Sequence, residues 1–268
     1  MNVKELFDLE GKVALVTGGA RNLGHDMALA LAEAGADVAI TSRALASAEE
    51  GARSIRQATG RRVVPLALDV TDEAAVEAVV ARMLADLGRI DILVNNAGNV
   101  PPAASADVPF EDRPVELWHQ VIALNLTGAF LCAKHVVRAA MIPAGGGNII
   151  NLGSSAGIIG KDRRQYEGTG MGGATVDYHA AKGGVISMTR DMAVYLAKHG
   201  IRVNCISPGG FARRQPAAFI ERYSANVPLG RMGEDGKELK GAVVFLASEA
   251  SSYVTGHNLV VDGGLTAW

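Results

Sequence analysis

Short apolar runs rich in β-branched residues alternate with longer stretches of helical periodicity along almost the whole chain, and this alternation limits the possible folds most. Runs at 12–17, 37–41, 63–68, 90–94, 148–152, 201–206 and 258–261 read as strands. Between them, 23–34, 45–58, 72–87, 115–140, 178–198 and 238–248 carry apolar residues at helical spacing. Gly35 closes the first helix and Asp72 offers an N-cap to the third. Strands apolar on both faces, joined by helical crossovers, form a parallel sheet covered on both sides. The expected fold is α/β: one doubly wound, seven-stranded parallel sheet with helices on both faces. The chain has 268 residues, 49% of them hydrophobic, enough for one large core, and no linker or repeat divides residues 1–268. Two glycine-rich stretches lack a clear period: an insertion at about 158–176 and a loop and helix region at about 209–230. Both follow carboxyl ends of strands, where ligands bind in such sheets, and both read as lids beside a site.

The turn Thr17-Gly18-Gly19-Ala20-Arg21-Asn22-Leu23-Gly24 joins the first strand to the first helix. Glycines let the backbone approach a pyrophosphate, and the helix amino end offers free N–H groups and partial positive charge. Alone, such a turn is an ordinary tight loop; inside a βαβ unit it reads as a dinucleotide site. The end of the second strand discriminates between the nicotinamide cofactors. An acidic residue there would bond the ribose 2′-hydroxyl. This chain has Thr41-Ser42-Arg43. Arg43 can fork onto a 2′-phosphate with Ser42 as a second donor, and Arg21 is a further cation nearby. NADP is therefore predicted ahead of NAD; in the competing reading Arg43 stacks on adenine or faces solvent.

Tyr178 and Lys182 are four residues apart at the start of a helical pattern, so their side chains share a face. A phenol beside a fixed ammonium is a ready acid/base, because a nearby cation favours the phenolate. Solvated pairs of this kind are common on helices; here the glycine turn sets the pair in the context of a mechanism. Tyr166 is a second phenol with no lysine four residues on, and His179 is expected to be structural or at a rim.

Together these motifs resemble those of the short-chain dehydrogenase/reductases along nearly the whole chain. The residues that carry the resemblance are Thr17-Gly18…Gly24, Asp69-Val70, Asn95-Asn96-Ala97-Gly98, Asn125, Ser154, Tyr178…Lys182, Ser207-Pro208-Gly209 and Asp262-Gly263-Gly264. The resemblance implies a Rossmann-type fold and hydride transfer between a nicotinamide and a ketone or secondary alcohol. It implies that Tyr178 is the general acid/base. Lys182 lowers its pKa and bonds the nicotinamide ribose, Ser154 bonds the substrate oxygen, and Asn125 relays a water to Lys182. Gly18, Arg21, Asn22, Leu23, Gly24, Asp69, Val70, Asn96, Ala97, Gly98, Pro208, Gly209 and Phe211 are implied to line the cofactor with Tyr178 and Lys182, Asp69 and Val70 at the adenine. Two departures stand out. Asn22 replaces a glycine of the turn, and asparagine tolerates positive φ better than most residues. Arg213 stands where a threonine often contacts the cofactor. The 154–178 interval is also longer than usual, and its Lys161, Arg163 and Arg164 either bind a substrate anion or face solvent or another subunit.

The amino-terminal segment 6–12 also looks like that of sugar-acid and polyol relatives such as gluconate 5-dehydrogenases, and 3-oxoacyl reductases share the core motifs. An NAD-dependent sugar-acid or polyol dehydrogenase is the alternative within the class. A dinucleotide-binding redox regulator without turnover is the alternative outside it; retention of Asn125, Ser154, Tyr178 and Lys182 together argues for catalysis. Self-association as a homotetramer or dimer is implied through the 115–140 and 178–198 helices and the carboxyl-terminal strand. A net charge of -2 gives no sign of a nucleic-acid or membrane partner. No apolar stretch reads as a membrane span, the amino terminus lacks a signal-peptide pattern, and no metal site is predicted. Cys132 and Cys205 read as small core residues. A soluble cytoplasmic setting is the default expectation.

Overall fold

The computed structural model describes residues 2–99 and 108–268. Its strands are β1 (Val13–Val16), β2 (Asp37–Ser42), β3 (Val63–Ala67), β4 (Ile92–Asn95), β5 (Gly147–Leu152), β6 (Ile201–Pro208), β7 (Phe211–Ala212), β8 (Gly233–Glu234) and β9 (Asn258–Val261). Its helices are α1 (Val3–Leu6), α2 (Asn22–Glu33), α3 (Leu45–Thr59), α4 (Glu73–Leu87), α5 (Val115–Ala144), α6 (Val176–Leu196), α7 (Ala217–Ala225) and α8 (Glu238–Ala247).

Seven strands form one parallel sheet in the order β3-β2-β1-β4-β5-β6-β9. Every side chain of β1 is buried, and the strand's period of two divides them between layers. Ala14 and Val16 pack with Met27 and Leu31 of α2 and Val243 of α8. Val13 and Leu15 face the other layer, with Val80 and Met83 of α4, Val136 of α5 and Leu196 of α6. Both faces are thus apolar, which is why the strands read as continuous runs rather than alternating ones. From β3 the chain returns across the sheet to β4, beside β1. This reversal leaves a crevice past the carboxyl ends of β1 and β4, the place where open α/β sheets hold ligands.

Three features were not anticipated. The first is α1, fixed by an Asn2–Glu5 capping box. The second is a separate parallel pair, β7 with β8, each strand too short to carry a period. The third is that α5 runs on to Ala144 and contains two π-helical turns, Ala123–Thr127 and Val137–Met141. By length and composition this helix is apolar enough to cross a membrane, contrary to the expectation from sequence. Here its apolar face, including Leu131, Val136 and Met141, is spent on the core. Both cysteines are buried and unpaired.

The 158–176 insertion and the 209–230 region meet. Tyr166 stacks obliquely on Phe219 at 5.1 Å, and Phe219 on Tyr223 at 5.8 Å. Val227, Met232 and Met171 complete this small apolar cluster. Arg222 ties the two segments again by donating to the Glu167 carbonyl at 2.5 Å.

Candidate active site

The glycine turn is built by close approach. Gly18 has φ of 63°, and a side chain there would press on Ala97. A Cβ on Gly24 would lie 2.3 Å from the Gly18 carbonyl, so only glycine lets α2 dock on the turn. Asn22 takes φ of 54°, the one non-glycine positive φ among the described residues, as its tolerance of that region predicts. The turn is pinned from β4. Asn96 Nδ2 donates to the Thr17 and Gly18 carbonyls at 2.9 and 3.1 Å, while Thr17 Oγ1 accepts from the Asn96 and Ala97 N–H groups.

A cleft runs past this turn to the end of β2. Gly18, Arg21, Asn22, Leu23, Gly24, Ser42, Arg43, Asp69, Val70, Asn96, Ala97, Gly98 and Tyr178 all line it, as does Arg213. The amino end of α2 has no side-chain cap, so its first N–H groups are left for an anionic ligand. No acid stands at the end of β2. Asp69 is engaged by the Thr71 N–H and hydroxyl at 3.0 and 2.7 Å. Those bonds, with a smaller contribution from Arg43, hold its carboxyl below the ordinary value. Arg213 lines the cleft with its guanidinium paired to Asp235, Nε to Oδ2 at 2.5 Å. These features fit a phosphate-bearing dinucleotide.

A second pocket adjoins the cleft. Leu23, Asn96, Gly98, Ser154, Tyr178, Lys182, Pro208 and Gly209 line it, and Tyr178 belongs to both. Ser154 caps a short 3-10 turn, its Oγ accepting from the Ala156 N–H at 3.1 Å. Ser155 is buried beneath it, so Ser154 is the serine that faces the pocket, as the sequence suggests. The turn lies flat on α6: a Cβ at Gly157 would sit 2.6 Å from the Lys182 backbone. Lys182 Nζ donates to the Leu152 carbonyl at 2.7 Å and stands 5.8 Å from the centre of the Tyr178 ring. Asn125 is buried in the first π-helical turn of α5, and its Oδ1 accepts from the Asn99 N–H at 3.1 Å. Oδ1 and Lys182 Nζ both lie within 4 Å of the space above Gly98, which brings Asn125 and Lys182 to one point. A π-turn of this kind often marks a functional site.

Two expectations require correction. Phe211 is not part of the cleft. It is buried in the core layer beneath α8 and lines a separate pocket with Pro228 and Asp262, because β7 turns its side chain inward. Nor is Lys182 what sets the Tyr178 pKa in this structure. Burial pushes the phenol up from its ordinary value, and a hydrogen bond with Ser154 draws it part of the way back. Burial brings the Lys182 ammonium down to about 8. The phenol and the ammonium are both desolvated, and Nζ is committed to Leu152.

One functional contact lay outside the sequence reading. Asp177 is fully buried, and its Oδ2 accepts from Arg113 Nε at 2.7 Å. Its Oδ1 accepts from the Tyr178 N–H at 2.9 Å and from the Thr175 hydroxyl. An acid in the first turn of a helix, beside the acid/base candidate, was the available signal.

Residues 18–266 match the family described as Enoyl-(Acyl carrier protein) reductase. The chain is 40% identical over 260 residues to the cis-4-hydroxycyclohexanecarboxylate dehydrogenase of Sinomonas cyclohexanicum, covering 96% of this chain and 97% of that protein. Two solved structures are similar over the full length of both chains. One is a short-chain type dehydrogenase/reductase from Mycobacterium marinum, with 38% identity and a TM-score of 0.89. The other is a gluconate 5-dehydrogenase from Burkholderia cenocepacia J2315 in complex with NADP and tartrate, with 36% identity and a TM-score of 0.88. The chain belongs to the short-chain dehydrogenase/reductase family. As a member of this family it is an NAD(P)-dependent oxidoreductase acting on alcohol and carbonyl groups.

Proposed function

We propose that this short-chain dehydrogenase/reductase interconverts a ketone and a secondary alcohol with NADP(H), Tyr178 serving as general acid/base. The observation that carries this reading is that Ser154, Tyr178 and Lys182 line one pocket and that Tyr178 also forms a wall of the glycine-turn cleft. When bound, the nicotinamide supplies or accepts the hydride. Ser154 holds the substrate oxygen against Tyr178. Tyr178 gives that oxygen its proton in reduction and removes it in oxidation. Lys182 and Asn125 lead protons away from the phenol, Asn125 holding a water beside the ammonium. Asp177 fixes the backbone from which Tyr178 projects.

NADP is favoured over NAD by Arg43 and Ser42 at the end of β2, which itself carries no acid, while the nearby Asp69 is engaged by Thr71. The gluconate 5-dehydrogenase whose complex contains NADP is consistent with that preference. Exposed apolar residues support self-association: Phe130 on α5, Val194 and Tyr195 on α6, and Val260 on the edge strand β9. The test is a panel of ketones and secondary alcohols followed by nicotinamide absorbance with each cofactor. Turnover of at least one ketone with NADPH is expected. Cofactor binding without turnover on any compound would favour the redox-regulator reading.

A further inference from the structure

We propose that Lys161 is an anion-binding residue of the substrate pocket and that the substrate is a ketone or secondary alcohol carrying a carboxylate remote from the reacting carbon. This rests on the assignment of Ser154 and Tyr178 to the reacting oxygen, and it adds the feature of the substrate that this chain's own insertion reads.

Lys161 is half-buried, and its Nζ lies over the Tyr223 ring, 5.2 Å from the centre. Tyr223 is buried on α7 and closes on the backbone that follows Gly209, which lines the pocket. Its hydroxyl accepts from the Gly210 N–H at 2.5 Å, and it bonds the side chain of Ser155, the neighbour of Ser154. On the other side is His179, next to Tyr178, whose imidazole feels the charges of both Lys161 and Arg163. The ammonium thus lies over a ring of the lid helix α7 and close enough to the first turn of α6 to act on His179, which adjoins Tyr178 in sequence.

Among the described residues no ion pair neutralises it. Asp162, the adjacent acid, is taken by a two-point contact from Arg164, at 2.8 Å on each arm. Among the described residues Lys161 has no carboxylate within ion-pair distance, and its desolvation is offset only by an aromatic face. A half-buried lysine held over an aromatic ring, with a second cation and an imidazole beside it, is the arrangement that an incoming carboxylate completes. A purely structural lysine would extend its head to solvent, as long cationic side chains do at a rim.

The test uses the full-length enzyme saturated with NADP and cyclohexanecarboxylate as an unreactive probe, titrated calorimetrically. The wild type binds it, Lys161→Met binds at least roughly tenfold more weakly, and Lys161→Arg returns to within about threefold of wild type. In turnover, Lys161→Met raises KM for 4-oxocyclohexanecarboxylate at least tenfold more than KM for cyclohexanone. Equal binding of the probe by wild type and Lys161→Met, or no binding to either, overturns the proposal. So does an equal loss on both ketones with a lowered Tm, which would assign Lys161 to holding Tyr223 in place. Tyr178→Phe separates this inference from the reading beneath it. That variant is expected to bind the probe as the wild type does while losing turnover, so a failed acid/base assignment appears as surviving turnover and a failed anion site as lost dependence on Lys161.

Discussion

The carboxylate of Asp177 receives the guanidinium of Arg113 at 2.7 Å, with both side chains out of solvent. The contact joins the segment leading into α5 to the first turn of α6, one residue ahead of Tyr178. Asp177→Asn removes a charge and leaves Arg113 buried without that carboxylate. Loss of one partner from a buried pair costs about 3–5 kcal/mol. The expected outcome is a fall in Tm of roughly 6–20 °C, measured by calorimetry, with kcat reduced as Tyr178 loses its anchor. An unchanged Tm would mean that the pair is neutral to stability.

Lys182 provides a pH-dependent prediction. Its folded-state pKa is about 8 against an ordinary 10.5. Below about pH 8 the group is charged in both folded and unfolded chains, and burying that charge costs the fold about 3 kcal/mol. Between about pH 8 and 10.5 the folded chain has released the proton and the unfolded chain has not, so this cost is relieved as pH rises. Lys182→Met is therefore expected to stabilise the cofactor-free enzyme near neutral pH, less the lost bond to Leu152. The gain should shrink steadily towards about pH 10. Denaturant melts across that range check the slope; a gain independent of pH would refute the assignment.

Tyr178→Phe retains the ring and deletes the proton. A loss of roughly 10²–10⁴-fold in kcat is expected, with the Kd for cofactor changed by less than about threefold. Stopped-flow transients and fluorescence titration read the two quantities separately, and wild-type turnover would remove the phenol from the chemistry.

Arg43→Asp places an acid where a 2′-phosphate would sit. Charge-assisted bonds are worth about 1.5–3 kcal/mol each, so the Kd for NADP should rise by roughly 10–100-fold while that for NAD falls. No change in the ratio would return Arg43 to an adenine-stacking or solvent-facing role.

Asn22 tests the turn. At φ of 54° glycine is expected to be tolerated, within about 0.5 kcal/mol of wild type. Asn22→Val should cost about 1–3 kcal/mol and weaken cofactor binding with it. Thermal melts with and without NADP check both; equal stability of the valine variant would show that the turn relaxes.

Most of this architecture was legible because its signals are periodic or local. All seven strands of the main sheet followed from apolar runs, and the glycine turn from residue types that only a tight approach requires. What escaped depends on tertiary placement. The π-turn around Asn125 has no period of its own, since one altered hydrogen-bond step leaves the apolar spacing almost unchanged. Arg113 and Asp177 are 64 residues apart, and nothing local couples them. Phe211 follows Pro208-Gly209 by a few residues, and sequence proximity stood in for direction; a two-residue strand reversed it. The Tyr178–Lys182 spacing gave the shared face but not the shared desolvation, which is the leading cause of both pKa shifts.

The oblique stack of Tyr166, Phe219 and Tyr223 has a consequence for engineering and for evolutionary drift. Segments some fifty positions apart in the chain share one aromatic hinge pin, so neither can be retailored alone. Grafting the earlier segment onto a relative without its later counterpart would strand an aromatic ring in water. Changes of substrate preference in this lineage should accordingly arrive as linked exchanges, with the two surface pieces inherited as a matched cassette.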